Sequence, residues 1–157
     1  VLHRVRRGKI MNIALGGDPN AAGLKKVIIE HLQETGYTCK DYGSEDVIYA
    51  NVAIAVAEAV AAGKHDRGIL VCGTGIGMCI AANKVPGAYA ATCHDPYSTE
   101  RSIKSNNANI MTLGAFVIGH ELAKSLVNTW LAAQYVPGGS SEPKVQRIIE
   151  YSRSHQR

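Results

Sequence analysis

Five short apolar runs recur along the chain, each followed by a stretch with helical periodicity. They are Asn12–Gly16, Thr38–Tyr42, Gly68–Val71, Ala88–Thr92 and Asn109–Thr112. The helical stretches are Ala21–Glu34, Ala50–Ala62, Gly77–Asn83, Tyr97–Lys104, Glu121–Ala133 and Glu142–Ser154. Strands alternating with helices of this length predict a Rossmann-like three-layer α/β sandwich around a five-stranded parallel sheet. At 157 residues the chain has the size of one domain with a real core. Residues 11–157 are read as that domain, closed by a C-terminal helix after the turn-rich Pro137–Ser141 joint.

Composition matters here mainly through where the charge sits. The formal charge is +4, but Arg4, Arg6, Arg7 and Lys9 fall in a ten-residue opening without Asp or Glu. From Met11 onward the remaining 13 basic residues equal the 13 acidic ones. That neutrality argues against nucleic acid, whose binding is chiefly phosphate neutralisation. Residues 1–10 are read as a tag or disordered tail, with Met11 as the expected native start. No apolar run approaches the roughly 20 residues of a membrane span. Cys39, Cys72, Cys79 and Cys93 form no CxxC pair and no zinc spacing with histidine, so no metal is expected. Reduced thiols in the cytoplasm are the default reading.

In open α/β sheets ligands bind where strands end. The residues expected there are Asp18 after the first strand, Cys72 and the glycine loop after the third, and His94 and Asp95 after the fourth. In CGTGIGMCIAANK, Gly73, Gly75 and Gly77 let backbone N–H groups turn inward to face a phosphate, a carboxylate or an oxyanion. A dinucleotide fingerprint is the rival reading. It is weakened by Met78, which stands where the third glycine should be, and supported by Asp95, about 20 residues on. A thiol beside N–H donors can move a proton on carbon while the donors hold an enediolate oxygen. That is the chemistry of aldose–ketose isomerisation, without cofactor. Simple packing of Cys72 is the plainer alternative.

VCGTGIGMCIAANKVPGAYAATCHDPYS, followed by SNNANIMTLGAFVIG, resembles the sugar-phosphate isomerases of the ribose-5-phosphate isomerase type B family, which includes the galactose-6-phosphate isomerase subunits. The resemblance covers about Met11 to Arg147. It implies a homodimer or dimer of dimers with active sites shared between subunits. It implies that Cys72 carries the proton between C1 and C2, and that Gly73, Thr74, Gly75 and Gly77 form the loop that stabilises the enediolate. It further implies that Asp18 contacts substrate hydroxyls, that Tyr49 lines the sugar and that Asn106 hydrogen-bonds it.

The departures from the family pattern are informative. Pro19 and Ser105 stand where pentose-phosphate members carry histidine, the latter for ring opening. Phe116, Ser140 and Lys144 stand where arginines reach the phosphate, and only Lys144 keeps the charge. Arg101 and Arg147 are further candidates for the phosphate. His94 is either a strand-end residue bonded to Asp95 or a relocated acid/base. A tetrose 4-phosphate cannot close to a furanose and needs no ring opener. The expected substrate is therefore a tetrose 4-phosphate ahead of ribose 5-phosphate. A non-catalytic nucleotide- or ligand-binding domain, and an inactive partner subunit, are the alternatives.

Overall fold

The computed structural model describes Val5–Arg6 and Lys9–Gln156. Much of the expected tail at 1–10 lies outside the described residues. Of that segment, β1 (Val5–Arg6) and β2 (Lys9–Ile10) pair antiparallel. The main sheet consists of β3 (Asn12–Gly17), β4 (Thr38–Asp41), β5 (Arg67–Cys72), β6 (Ala90–Thr92) and β7 (Ile110–Gly114). All its pairings are parallel, in the order β4-β3-β5-β7-β6. The helices are α1 (Ala22–Glu34), α2 (Tyr49–Ala61), α3 (Ile76–Ala82), α4 (Pro96–Lys104), α5 (His120–Ala132) and α6 (Glu142–Ser154). The expected three-layer α/β sandwich is the fold.

Successive strand residues face opposite sides of the sheet, so a strand buried on both faces must be apolar throughout. β5 is buried at all six positions and apolar from Gly68 to Cys72; its first residue, Arg67, satisfies its guanidinium on the Trp130 and Ala133 carbonyls. Ile13, Leu15, Ile69, Val71, Met111 and Leu113 point to one face, where they pack with Leu24, Ile28 and Leu32 of α1 and Leu126, Val127 and Trp130 of α5. Ala14, Leu70, Cys72 and Ile110 point to the other, against Val52, Val56 and Val60 of α2 and Met78 of α3. On that second face Gly16 and Gly68 let α2 lie close. A Cβ on Gly16 would come within 2.8 Å of Val52, and one on Gly68 within 3.0 Å of Val56.

Local chemistry moves several boundaries. Asp18 caps a 3-10 turn over Pro19–Ala21, which delays α1 by one residue. Gly75, at φ +79°, caps α3, so that helix starts at Ile76 rather than Gly77. Pro96 occupies the first turn of α4, where its missing N–H costs nothing, and Asp95 accepts from Ser98 N–H. The fourth strand of the main sheet is shorter than expected, Ala90–Thr92, and Ala88 is a buried member of the core on the α2–α3 face.

Candidate active site

β5 delivers Cys72 to the end of the sheet in register with Gly114 at the end of β7. The thiol is 5% exposed and faces the α2–α3 side. Its Sγ accepts the Gly75 N–H at 3.1 Å, so the glycine loop curls over the sulfur. The curl requires glycine at 75. The left-handed backbone disfavours any side chain, and a Cβ would lie 2.9 Å from the Leu113 carbonyl carbon. Gly114 answers it from the other side, with a notional Cβ 2.7 Å from the Thr74 backbone. Loop and strand end thus interlock through two missing side chains. Ala115 N–H donates to Cys72 O and Phe116 N–H to Gly73 O, which ties the segment after β7 to the same loop.

Thr74 is exposed, with its Oγ1 accepting Ile76 N–H at 3.2 Å. Tyr49, the first residue of α2, lays its ring on Gly77, where a Cβ would meet the ring and hydroxyl at 2.5 Å. Asp18 directly follows β3 at the same strand-end edge. It is 8% exposed, one carboxylate oxygen accepts Ala21 N–H at 3.1 Å, and its own N–H bonds to Val71 O. Cys72, Thr74, Asp18, Tyr49, Gly73, Gly75 and Gly77 therefore share one edge of the molecule.

His94 reaches this edge as well. Its Nε2 accepts the Gly114 N–H at 2.9 Å, which makes Nδ1 the protonated nitrogen. Partial burial holds its pKa below the usual histidine value, against a smaller upward pull from Asp95. Of the two readings of His94, the bond to Asp95 is not made, because Asp95 turns to cap α4. Of the other thiols, Cys39 is half-buried and Cys93 buried. Burial pushes Cys39 up to about 11, and burial also raises Cys93.

Asn106 and Lys144 are not brought to Cys72 within one chain. Asn106 lies in the turn feeding the start of β7, and Ile110 pairs with Gly68 at the start of β5. Four strand residues, about 13 Å, separate that edge from Cys72. Lys144 is exposed on α6, whose Glu142 and Gln146 line a hollow with Asn107 and His65 at the same strand-start edge. Arg101 bonds Glu100 at 2.9 Å and Ser105 Oγ at 3.5 Å, and Arg147 lies over the Tyr151 ring. A hollow of about 400 Å³ beside Gly17 holds Lys25, whose buried Nζ bonds Asp41 and Ser44. Cys72 does not line it.

Phe116 is the residue whose placement sequence reading missed. It is 74% exposed, yet its ring lies over Gly73, where a Cβ would meet it at 2.9 Å. Among the described residues, no group of three or more His, Cys, Asp or Glu side chains is placed to hold a metal ion. No described helix is long and apolar enough to cross a membrane.

Comparison with known proteins gives a consistent picture. The ribose/galactose isomerase family model matches residues 13–148. The D-erythrulose-4-phosphate isomerase of Pectobacterium atrosepticum is 51% identical, over 94% of this chain and 100% of that protein. Ribose-5-phosphate isomerase B of Escherichia coli is 45% identical, over 90% of this chain and 98% of that one. Ribose-5-phosphate isomerase B of Clostridium thermocellum superposes with a TM-score of 0.88 at 42% identity, covering 93% of this chain and 100% of that one.

Proposed function

The chain belongs to the ribose/galactose isomerase family, and from that premise we propose that it interconverts an aldose and a ketose phosphate, with tetrose 4-phosphate favoured over ribose 5-phosphate. The observation that carries the tetrose preference is the pairing of 51% identity to a D-erythrulose-4-phosphate isomerase with Ser105 and Pro19 at the two histidine positions. A four-carbon sugar whose O4 carries phosphate stays open-chain, so the missing ring-opening group costs it nothing.

The chemistry follows from the edge around Cys72. The thiolate removes a proton from C1 of the ketose phosphate, and the C1–H electrons form the C1=C2 bond of an enediolate with negative charge on O2. Donors of the Gly73–Gly77 loop and the Thr74 hydroxyl hold that oxygen. Asp18 moves the proton from O1 to O2, and the Cys72 thiol returns its proton to C2, leaving an aldehyde at C1. Tyr49 and the Phe116 ring wall the sugar. No electron leaves the substrate, so the route calls for no cofactor. The chain works in the cytoplasm as a homodimer or dimer of dimers. Asn106 and Lys144, which lie at the opposite edge of the sheet from Cys72 in their own chain, complete the partner's site, where Lys144 meets the phosphate.

The test is turnover of a panel of sugar phosphates by the purified protein. D-erythrulose 4-phosphate should exceed ribose 5-phosphate in kcat/KM by at least about tenfold, and Ser105→His should raise ribose 5-phosphate selectively. Equal or better turnover of ribose 5-phosphate by the wild type defeats the tetrose reading. Nucleotide binding without any turnover defeats the isomerase reading.

A further inference from the structure

We propose that His94 is a positioning residue of the isomerisation: as a neutral acceptor it pins Gly114, and through Gly114 it keeps the Cys72–Gly77 loop in its working shape. The inference rests on the isomerase reading of the Cys72 edge.

Three observations meet at Gly114. Its N–H donates to His94 Nε2 at 2.9 Å. It pairs with Cys72 across the β5–β7 ladder. Its Cα side packs against the Thr74 backbone so tightly that a Cβ would sit 2.7 Å away. The next two residues donate N–H bonds to Cys72 O and Gly73 O. A shift of Gly114 therefore moves the wall against which Thr74 and Gly75 are folded, on both sides of the sulfur. His94 sits two residues beyond β6, the edge strand, whose Thr92 hydroxyl already bonds Thr112 at 2.8 Å. The histidine extends that tie past the last ladder bond to the point where β7 leaves the sheet.

The tie holds in one protonation state only. A second proton on the ring would place an Nε2–H against the Gly114 N–H, donor against donor. Asp95, the one charged group acting on His94 among the described residues, points its carboxylate into the Ser98 N–H of α4 and pulls the ring upward only weakly. Desolvation dominates and keeps the ring neutral at ordinary pH. Acidification below the usual histidine value of about 6.5 should release Gly114 and loosen the loop.

The experiment compares wild type with His94→Gln and His94→Ala. Gln carries an acceptor oxygen at a similar reach but does not titrate. At pH 8, kcat/KM of His94→Gln should stay within about threefold of wild type, and His94→Ala should fall by about tenfold, the scale of one lost hydrogen bond. The wild-type-to-Gln ratio of kcat/KM should drop as pH falls from 7 to 5, with titration of the substrate phosphate common to both enzymes. A flat ratio overturns the inference, and so does a loss of 10²-fold or more in the Gln variant, which would mark His94 as a general acid or base. NMR of the imidazole nitrogens in the wild type decides independently of activity and of variant folding. A ring protonated at Nδ1 at pH 8 supports the proposal, and one protonated at Nε2 overturns it. If no sugar phosphate is turned over, the isomerase reading fails while the NMR result still settles the Gly114 bond.

Discussion

The two edges of the sheet use polar side chains in opposite ways. Where strands start, the bonds span long stretches of sequence. Asp66 accepts from Asn12 N–H, His65 bonds the Asn12 side chain and the Tyr42 hydroxyl, and Arg67 donates to Trp130 O and Ala133 O at 2.6 and 2.7 Å. Asn109 joins Tyr89 N–H to Gly87 O. Where strands end, the candidate site residues make local bonds: Asp18 to Ala21, Cys72 to Gly75, Thr74 to Ile76. Long-range ties hold elements together. Local ones aim a side chain and leave its outer side for a ligand. His94 reaches Gly114 across 20 residues of sequence, a longer-range bond of the kind that Lys25 makes to Asp41 and Ser44 and Thr92 to Thr112 at the same edge, which is why it reads as scaffolding for the site.

The contrast breaks most visibly by mutation. Cys72→Ala should lower kcat by about 10²–10⁴-fold, the usual loss for a general base, with a thermal midpoint within a few degrees of wild type. Steady-state assays and calorimetry check both halves. Arg67→Leu should do the reverse. It strips the donor from two buried carbonyls at the end of α5, and a loss of about 3 kcal/mol in urea unfolding is expected, with kcat at the temperature of a still-folded sample changed less than about twofold.

Two left-handed glycines sharpen the comparison further. Gly63 follows α2 at the strand-start edge, at φ +77° with nothing near its missing Cβ. Gly63→Ala should cost about 1 kcal/mol of strain and leave kinetics alone. Gly75→Ala meets similar strain plus the Leu113 backbone, so it should cost about 3 kcal/mol and also reduce kcat. Equal kinetic effects from the two would erase the distinction between the edges.

The smallest expected effect is in the pH dependence of stability. Desolvation, followed by Lys40, lowers the pKa of His65 in the folded state. The unfolded chain then binds more protons as pH falls below about 6.5. Stability is full above that value and declines as pH drops through it. The thermal midpoint should fall between pH 7.5 and 5.5, and His65→Gln should lessen the fall.

How much of this was legible in the sequence differs between the same two edges. Helix α6 was placed at Glu142–Ser154 because Pro and Gly isolate it, and β5 was evident from the uninterrupted apolar run Gly68–Val71, although nothing in that run announced the buried Arg67 that opens the strand. The Cys72 loop was readable because its geometry is local, since glycines two residues apart at 73, 75 and 77 permit the curl. The strand-start network was not. Asn12 and Asp66 lie 54 residues apart, and no periodicity joins an Asn to an Asp at that distance. Nor did the sequence disclose that Gly73 makes room for the Phe116 ring, or that His94 reaches Gly114. Both depend on strand order, which alternation alone leaves open.

One measurement bears most directly on the claim that the strand-end edge does the chemistry: the site of inactivating alkylation. The protein is treated with iodoacetamide at pH 7.5, with and without a tetrose 4-phosphate. Residual activity is then followed against modification of each of Cys39, Cys72, Cys79 and Cys93 by peptide mass spectrometry. Activity should fall in step with modification of Cys72, and the sugar phosphate should slow both together. Full activity with Cys72 modified, or inactivation with Cys72 intact, would contradict the account.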